Sequence, residues 1–215
     1  MEHLVVARDV TKRYSSGKLE VEALRGIDLE IGAGEFTAIV GPSGSGKTTL
    51  LNLIGALDTP TSGELRVMGK ELTRMSRRAR ADLRLHALGF VFQAYNLVPV
   101  LTAQENVEFV LELQGVGSER RQRAKELLDD LGLADLARRR PTELSGGQQQ
   151  RVAVARAVAA RPRLVLADEP TANLDGANAE HLLSMMKRLH AEAGTTFVFS
   201  THDPRVVAYA QRVVT

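Results

Sequence analysis

Residues 41–48 place three glycines, a lysine and a threonine at a spacing that suits phosphate chemistry: Gly41, Pro42, Ser43, Gly44, Ser45, Gly46, Lys47 and Thr48. Glycines allow the backbone to fold into a concave nest with its N–H groups turned inward. A helix that starts at the lysine adds its own free N–H groups and the positive end of its dipole. Such a cradle holds a polyphosphate, with Lys47 reaching the β- and γ-phosphates and the Thr48 hydroxyl binding Mg²⁺. The plainer reading is a glycine-rich turn. Against it stands the context, an apolar strand-like run before the glycines and an apolar helix-like run after them.

Two further stretches carry candidate chemistry. In residues 163–170, an apolar run ends in Asp168 and Glu169. Asp168 at a strand end is suited to holding Mg²⁺ through its water shell, and Glu169 to orienting and deprotonating an attacking water. Taken alone, the pair reads equally well as a solvated strand end. In residues 143–160, Ser145, Gly146 and Gly147 precede a long run rich in alanine and valine. A hydroxyl and bare amides at a helix N-terminus make a second anion site. The competing reading is a simple helix cap with Ser145 at the N-cap.

The elements that must position these groups follow from the hydrophobic pattern. Residues 4–40 read as strands broken by two turn-like segments, Ser15-Ser16-Gly17-Lys18 and Gly32-Ala33-Gly34-Glu35. A helix is expected from 47 to about 57, a turn at 58–64, then short strands at 64–69 and 88–93. From about 94 to 160 the spacing turns helical, and strand–helix alternation then returns with a helix closed by Gly194. This predicts an α/β core, 1–93 and 161–215, interrupted by a helical subdomain at about 94–160, within one domain spanning 1–215. The chain stops at Arg212-Val213-Val214-Thr215, which reads as the start of a strand. A truncated longer protein is therefore expected as readily as a separate subunit.

Composition narrows the classes. Hydrophobic residues make up 44% and charged residues 25% of 215, as in water-soluble globular proteins. The net charge is +2 and basic residues alternate with acidic ones. Tryptophan is absent and aromatics are 4%, which argues against a base-stacking surface for nucleic acid. There is no cysteine, so disulfides, thiolate metal sites and cysteine nucleophiles are excluded. No apolar run approaches the ~18 residues of a membrane span, and the N-terminus does not read as a signal peptide.

The three stretches together, in this order and spacing, resemble the nucleotide-binding domain of ATP-binding cassette (ABC) transporters from about Tyr14 to Asp203. The resemblance implies an α/β P-loop NTPase core with an antiparallel β subdomain and an inserted α-helical subdomain. It implies ATP and Mg²⁺ as cofactors, held by Gly41, Pro42, Ser43, Gly44, Ser45, Gly46, Lys47, Thr48 and Thr49, with the metal at Thr48, Gln93 and Asp168. It places Tyr14 on the adenine, Gln93 beside Mg²⁺ and the attacking water, Glu169 as the catalytic carboxylate, and His202 on the γ-phosphate. Ser145, Gly146, Gly147 and Gln148 then close on the ATP of a second copy, and Asp175 crosses to that copy. Read singly, Tyr14, Gln93 and His202 would be ordinary strand-end residues and Asp175 a helix N-cap.

A finer likeness, in residues 88–109, 15–31 and 138–157, is to the lipoprotein-release and macrolide-export (LolD and MacB) subfamily. It implies an ATP-hydrolysing motor subunit, a homodimer coupled to an integral-membrane permease, with no nucleic acid partner and a place on the inner face of the cell membrane. The competing expectation is a regulatory or mechanotransmitting ATPase of the cell-division (FtsE) type that moves no solute. A soluble ABC ATPase of DNA repair or translation fits less well, because those carry two cassettes or a long coiled-coil insertion. The transported substance is not written in this chain.

Overall fold

The structure, a computed structural model, describes residues 2–17 and 19–215. Lys18, the last residue of the first expected turn, lies outside the described residues. Two sheets organise the molecule. β1 (His3–Ser16), β2 (Leu19–Gly32), β4 (Ser62–Val67) and β5 (Lys70–Glu71) form an antiparallel sheet in the order β2-β1-β4-β5. β3 (Phe36–Val40), β6 (Leu88–Val91), β7 (Leu164–Asp168), β8 (Thr196–Thr201) and β9 (Arg212–Val214) form a parallel sheet in the order β6-β7-β8-β3-β9. β3, β7 and β8 are buried on both faces almost throughout. That is why they read as unbroken apolar runs rather than as alternation.

α1 (Lys47–Ile54) follows β3, and α2 (Arg77–Ala87) precedes β6. α6 (Gly176–Ala193) and α7 (Pro204–Tyr209) follow β7 and β8. The fold class expected from the sequence, a P-loop NTPase core with an antiparallel β sheet and a helical insertion, is the one observed. Gly194 closes α6 in the left-handed conformation, φ 63°, as a C-terminal glycine should.

α3 (Ala103–Leu113), α4 (Glu119–Asp130) and α5 (Gly146–Ala159) make up the helical insertion. They share an apolar cluster through Val107, Leu111, Leu128 and Val152. α5 also reaches the sheet, where Val154 and Ala157 join the cluster of Val91, Val165 and Phe199. A helix gripped on two sides needs small apolar residues nearly all round, which accounts for the alanines and valines of α5.

Three local expectations change. α2 was not foreseen: it is arginine-rich and buries only Leu83 among its residues, so it leaves no apolar stripe in the sequence. The helical reading from 94 onwards is corrected for 94–101, which form irregular chain. Tyr95 and Asn96 are both left-handed there, φ 59° and 49°, which no helix tolerates. The buried amide of Asn106 fastens this stretch, donating to the carbonyls of Val98, Leu101 and Thr102 and accepting from Val98 N at 2.8 Å. α1 ends at Ile54 rather than near 57, with Gly55 N–H closing on Leu51 O.

α5 packs so closely on β6 that a Cβ on Gly89 would stand 2.4 Å from Ala157 O, a backbone atom. Gly89→Ala must therefore push α5 off the sheet. The expected cost is about 1–3 kcal/mol, lowering the thermal midpoint by about 2–12 °C, measured by thermal unfolding followed by circular dichroism.

Candidate active site

β8 is hydrogen-bonded to β3 on one side, with Val40 opposite Thr201, and to β7 on the other, with Asp168 opposite Ser200. The carboxyl ends of these three strands therefore lie side by side, and the phosphate loop, the two carboxylates and His202 all project from them. This is where open parallel sheets bind their ligands.

The loop of residues 41–46 has Gly44 and Gly46 in the left-handed region, φ 79° and 92°. Gly46 has a second reason to be glycine: a Cβ there would stand 2.5 Å from Ala23 O and 2.8 Å from Leu24 Cδ2. The antiparallel sheet thus presses directly on the loop that β3 delivers. Lys47 lies across the loop, its Nζ donating to Gly41 O at 2.8 Å and Pro42 O at 2.9 Å. Thr48 Oγ1 donates to Asp168 Oδ1 at 3.0 Å, and the same oxygen accepts from the Ser200 hydroxyl. Ser200 is wholly buried in β8 and gave no signal in the sequence; only the strand register brings it to Asp168.

Glu169 follows with φ 45°, a left-handed backbone in a residue with a side chain. Its N–H bonds Ser200 O at 3.0 Å, and its Oε1 lies 2.7 Å from His202 Nδ1. The His202 ring is 69% exposed while the Glu169 side chain is 14% exposed. The histidine thus stands outside the carboxylate and presents its other nitrogen outward. Gln93 is exposed, and its carbonyl accepts from Asn173 Nδ2 at 2.9 Å. Its side chain makes no hydrogen bond to Thr48 or Asp168 among the described residues.

Tyr14, near the end of β1 and 40% exposed, is tethered. Its hydroxyl donates to Asp58 Oδ2 at 2.9 Å, and Lys12 Nζ reaches Asp58 Oδ1 at 2.8 Å. That ammonium also stands 4.8 Å from the Tyr14 ring centroid. Burial and the Asp58 carboxylate raise the Tyr14 phenol above its ordinary value, against a smaller opposing contribution from the Thr49 hydroxyl. For Asp58 burial pushes upward, but the bonds from Lys12, the Thr59 amide and Tyr14 together hold it below the usual carboxylate range. Lys12 and Asp58 were not legible, since they lie 46 residues apart.

The second group is built differently. Ser145 caps α5 in a reciprocal box: Gln148 N–H donates to Ser145 Oγ at 3.3 Å and Ser145 N–H to Gln148 Oε1 at 2.9 Å. The helix-cap reading is therefore correct for the Ser145 hydroxyl within one copy. Asp175 likewise caps α6, accepting from Asn178 N–H at 2.9 Å and from Asn178 Nδ2 at 2.7 Å. These two bonds, the backbone one first, hold its carboxyl below the ordinary value. Gly146 and Gly147 face Tyr95 and Asn178, where a Cβ would stand 2.7 Å from the Tyr95 hydroxyl and 3.0 Å from Asn178 Oδ1. No hydrogen bond or ion pair among the described residues joins this second group to Lys47 or Asp168.

A family model described as "ABC transporter" matches residues 24–172. The chain belongs to the ABC transporter family. It is an ABC ATPase, binding ATP and hydrolysing it to ADP and phosphate. An uncharacterized ABC transporter ATP-binding protein of Thermotoga maritima is 50% identical over 208 residues, 96% of this chain and 88% of that one. The lipoprotein-releasing system ATP-binding protein LolD of Geobacter metallireducens is 45% identical, covering 100% of this chain and 96% of its own length. The macrolide export ATP-binding/permease protein MacB of Nitrosomonas europaea is 50% identical over 98% of this chain, which spans only 32% of that longer relative. An ABC cassette solved as a dimer in a post-hydrolysis state, bound to ADP and Pi, superposes with a TM-score of 0.91 at 44% identity, covering 97% of this chain and 92% of that one. No helix among the described residues is long and apolar enough to cross a membrane.

The tethered ring of Tyr14 offers a flat face beside α1, suited to stacking on a purine. Tyr14→Ala should raise KM for ATP more than it lowers kcat, and the unmodified ABC ATPase should also turn over GTP. Steady-state kinetics with both nucleotides measure this, and a fall in kcat with KM unchanged would remove Tyr14 from the base.

Proposed function

We propose that this chain is the motor subunit of a transporter of the lipoprotein-release or macrolide-export type, acting as a head-to-tail homodimer that drives an integral-membrane permease. The observation that carries it is the division of the site. Lys47, Thr48, Asp168, Glu169 and His202 converge at the carboxyl ends of the three central strands, while Ser145, Gly146, Gly147 and Gln148 at the start of α5 and Asp175 at the start of α6 form a separate group around Asn178. A nucleotide held by the first group offers its outer face to the second group of another copy. The solved dimer of a similar cassette supports that arrangement, and the likeness to LolD and MacB supports the transporter type.

Thr48 Oγ1 and Asp168 Oδ1, 3.0 Å apart, fit Mg²⁺, a hard cation that takes few protein oxygens and completes its shell with phosphate and water. Among the described residues no cluster of three or more histidine or carboxylate groups offers an all-protein cage, in keeping with such a site. When bound, Mg²⁺ would neutralise charge between the β- and γ-phosphates. Ser200 holds the Asp168 carboxylate in place from behind. Lys47 leaves the loop carbonyls for the phosphates, and the amides of 41–48 line the nest. Glu169 accepts the proton of the attacking water, and His202 orients both the carboxylate and the γ-phosphate. Catalysis is then mostly positioning and charge stabilisation, with no covalent intermediate on the chain.

The permease contact is proposed along 97–113. Val100 is 71% exposed, and Phe109 and Leu113 on α3 are 44% and 55% exposed. The last two lie one helical turn apart on a common face. Leu97, by contrast, packs against the helical cluster, so its replacement tests folding rather than docking. Through this contact the chain would sit as a peripheral subunit on the cytoplasmic face of the membrane.

Glu169→Gln keeps shape and hydrogen-bonding capacity but cannot take the proton, so binding survives and the chemical step stalls. The variant should accumulate as a dimer with ATP and not with ADP, and adding Ser145→Arg should abolish that dimer. Light scattering reads all three conditions; a monomer throughout would refute the nucleotide-bridged pair for the isolated chain. Val100→Glu should leave the ATPase rate of the isolated chain within about twofold, since an exposed change away from special features is nearly neutral, yet abolish stimulation by the reconstituted permease. Equal stimulation of both proteins would move the docking surface elsewhere.

A further inference from the structure

Gln150, near the start of α5, is wholly buried. Its Nε2 donates to Pro170 O at 2.9 Å and to Phe92 O at 3.4 Å, groups 20 and 58 residues away in the chain. Pro170 follows Glu169, and Phe92 precedes Gln93. One amide group therefore spans the two backbones on which the proposed water-activating carboxylate, Glu169, and Gln93 are mounted.

The orientation of this amide is forced. Both neighbours are carbonyl acceptors, so only the NH₂ end can serve them. The Oε1 end is left buried without a hydrogen-bond partner, which costs stability. An apolar side chain of the same volume would fill the space without that cost, but it could not grip two carbonyls. The grip also has no substitute. Pro170 carries no N–H, and its carbonyl has no other hydrogen bond among the described residues. Phe92 O is shared with Tyr95 N–H at 3.2 Å.

Glu169 needs such restraint, because its backbone sits at φ 45°, a conformation that persists in a residue with a Cβ only when its surroundings over-determine it. The bond from Glu169 N–H to Ser200 O fixes one side, and Ala172 N–H to Glu169 O closes a turn on the other. Among the described residues, Gln150 is the side chain of the helical lobe that hydrogen-bonds this turn. A second side chain of α5 works in parallel on the neighbouring loop, where Arg156 donates to Asn96 O at 2.6 Å and Tyr95 O at 3.0 Å. The helix that begins with Ser145, Gly146 and Gly147 thus holds both the loop after Gln93 and the peptide after Glu169.

We propose that Gln150 is a positioning residue for hydrolysis, which sets the direction of the Glu169 carboxylate according to the placement of α5 and so ties closure on the second nucleotide to water activation. The proposal rests on Glu169 being the group that activates water. Nothing in it touches the Lys47 or Tyr14 side of the nucleotide, so binding and chemistry should separate.

The test is Gln150→Met, which keeps length and volume and removes both donors, made alone and in the Glu169→Gln background. Expected for Gln150→Met alone are ATP affinity by calorimetry within about twofold of the parent and a single-turnover rate about 10–100-fold lower, as for a lost positioning contact. In the Glu169→Gln background the same change should cost nothing further, because the carboxylate it aims is already gone. An unchanged rate in the single variant, an affinity loss equal to the rate loss, or an equal loss in both backgrounds would overturn the proposal. Glu169→Gln alone reports separately on the reading beneath it: a rate near that of the parent would remove both, whereas a stalled Glu169→Gln with additive losses removes only the role of Gln150. If Gln150→Met does not fold, Gln150→Asn, which retracts the same amide by one methylene, is put through the same comparison with the same outcomes.

Discussion

Strand β8 is the member on which the site depends. It bonds to β3 with Val40 beside Thr201 and to β7 with Asp168 beside Ser200. Neighbouring strands lie about 4.8 Å apart, so groups leaving adjacent strand ends are within reach of one ligand. Lys47 and Thr48 come from the segment after β3, Asp168 and Glu169 from the end of β7, and His202 from just beyond β8. Shifting one strand by a single residue would turn Asp168 to the opposite face of the sheet. Burial on both faces resists that slip, with Phe36, Phe197 and Phe199 packed ring against ring.

The polar side is arranged so that each charge rests on something already fixed. Asp168 accepts from Thr48 and Ser200, Glu169 pairs with His202, and Asp58, which Lys12 secures, accepts from the Tyr14 hydroxyl. A group placed before the reaction begins does not have to be organised during it, which is the main contribution a protein makes to phosphoryl transfer. Ser145 and Asp175 follow the same rule through their caps. A cap that satisfies one N–H of a helix start leaves neighbouring amides available to an anion, so the cap at Ser145 is compatible with the ligand role proposed for it.

What the sequence disclosed follows chain distance. The phosphate loop, the Asp168–Glu169 pair and the start of α5 are contiguous, so they could be singled out from order and spacing. The unbroken apolar run that ends at Asp168 was equally plain as a buried strand. Ser200, Asp58 and Gln150 act through partners 32, 44 and 58 residues away, and no local pattern marks them. α2 stayed hidden because its sides are charged and Leu83 is the one residue it buries. Residues 94–101 misled in the opposite sense. Their apolar side chains look like a helix face, yet the left-handed Tyr95 and Asn96 and the amide of Asn106 hold them as a loop.

The contacts that bind this loop to the rest of the molecule differ in kind from those that bind the helices to one another. Within the helical lobe the main joint is apolar, through Val107, Leu128 and Val152. Apolar burial has no direction, so such surfaces can slide with little penalty while the area stays covered. Around the site the joints are hydrogen bonds from Gln150, Arg156, Asn106 and Asn173 to backbone carbonyls. These lose most of their strength once their angles open. A displacement of the helical lobe is therefore soft within the lobe and stiff where it reaches the segments around Gln93 and Glu169. α5, fixed against Gly89 on its sheet side, is the element that joins the lobe to both segments, through Gln150 and Arg156.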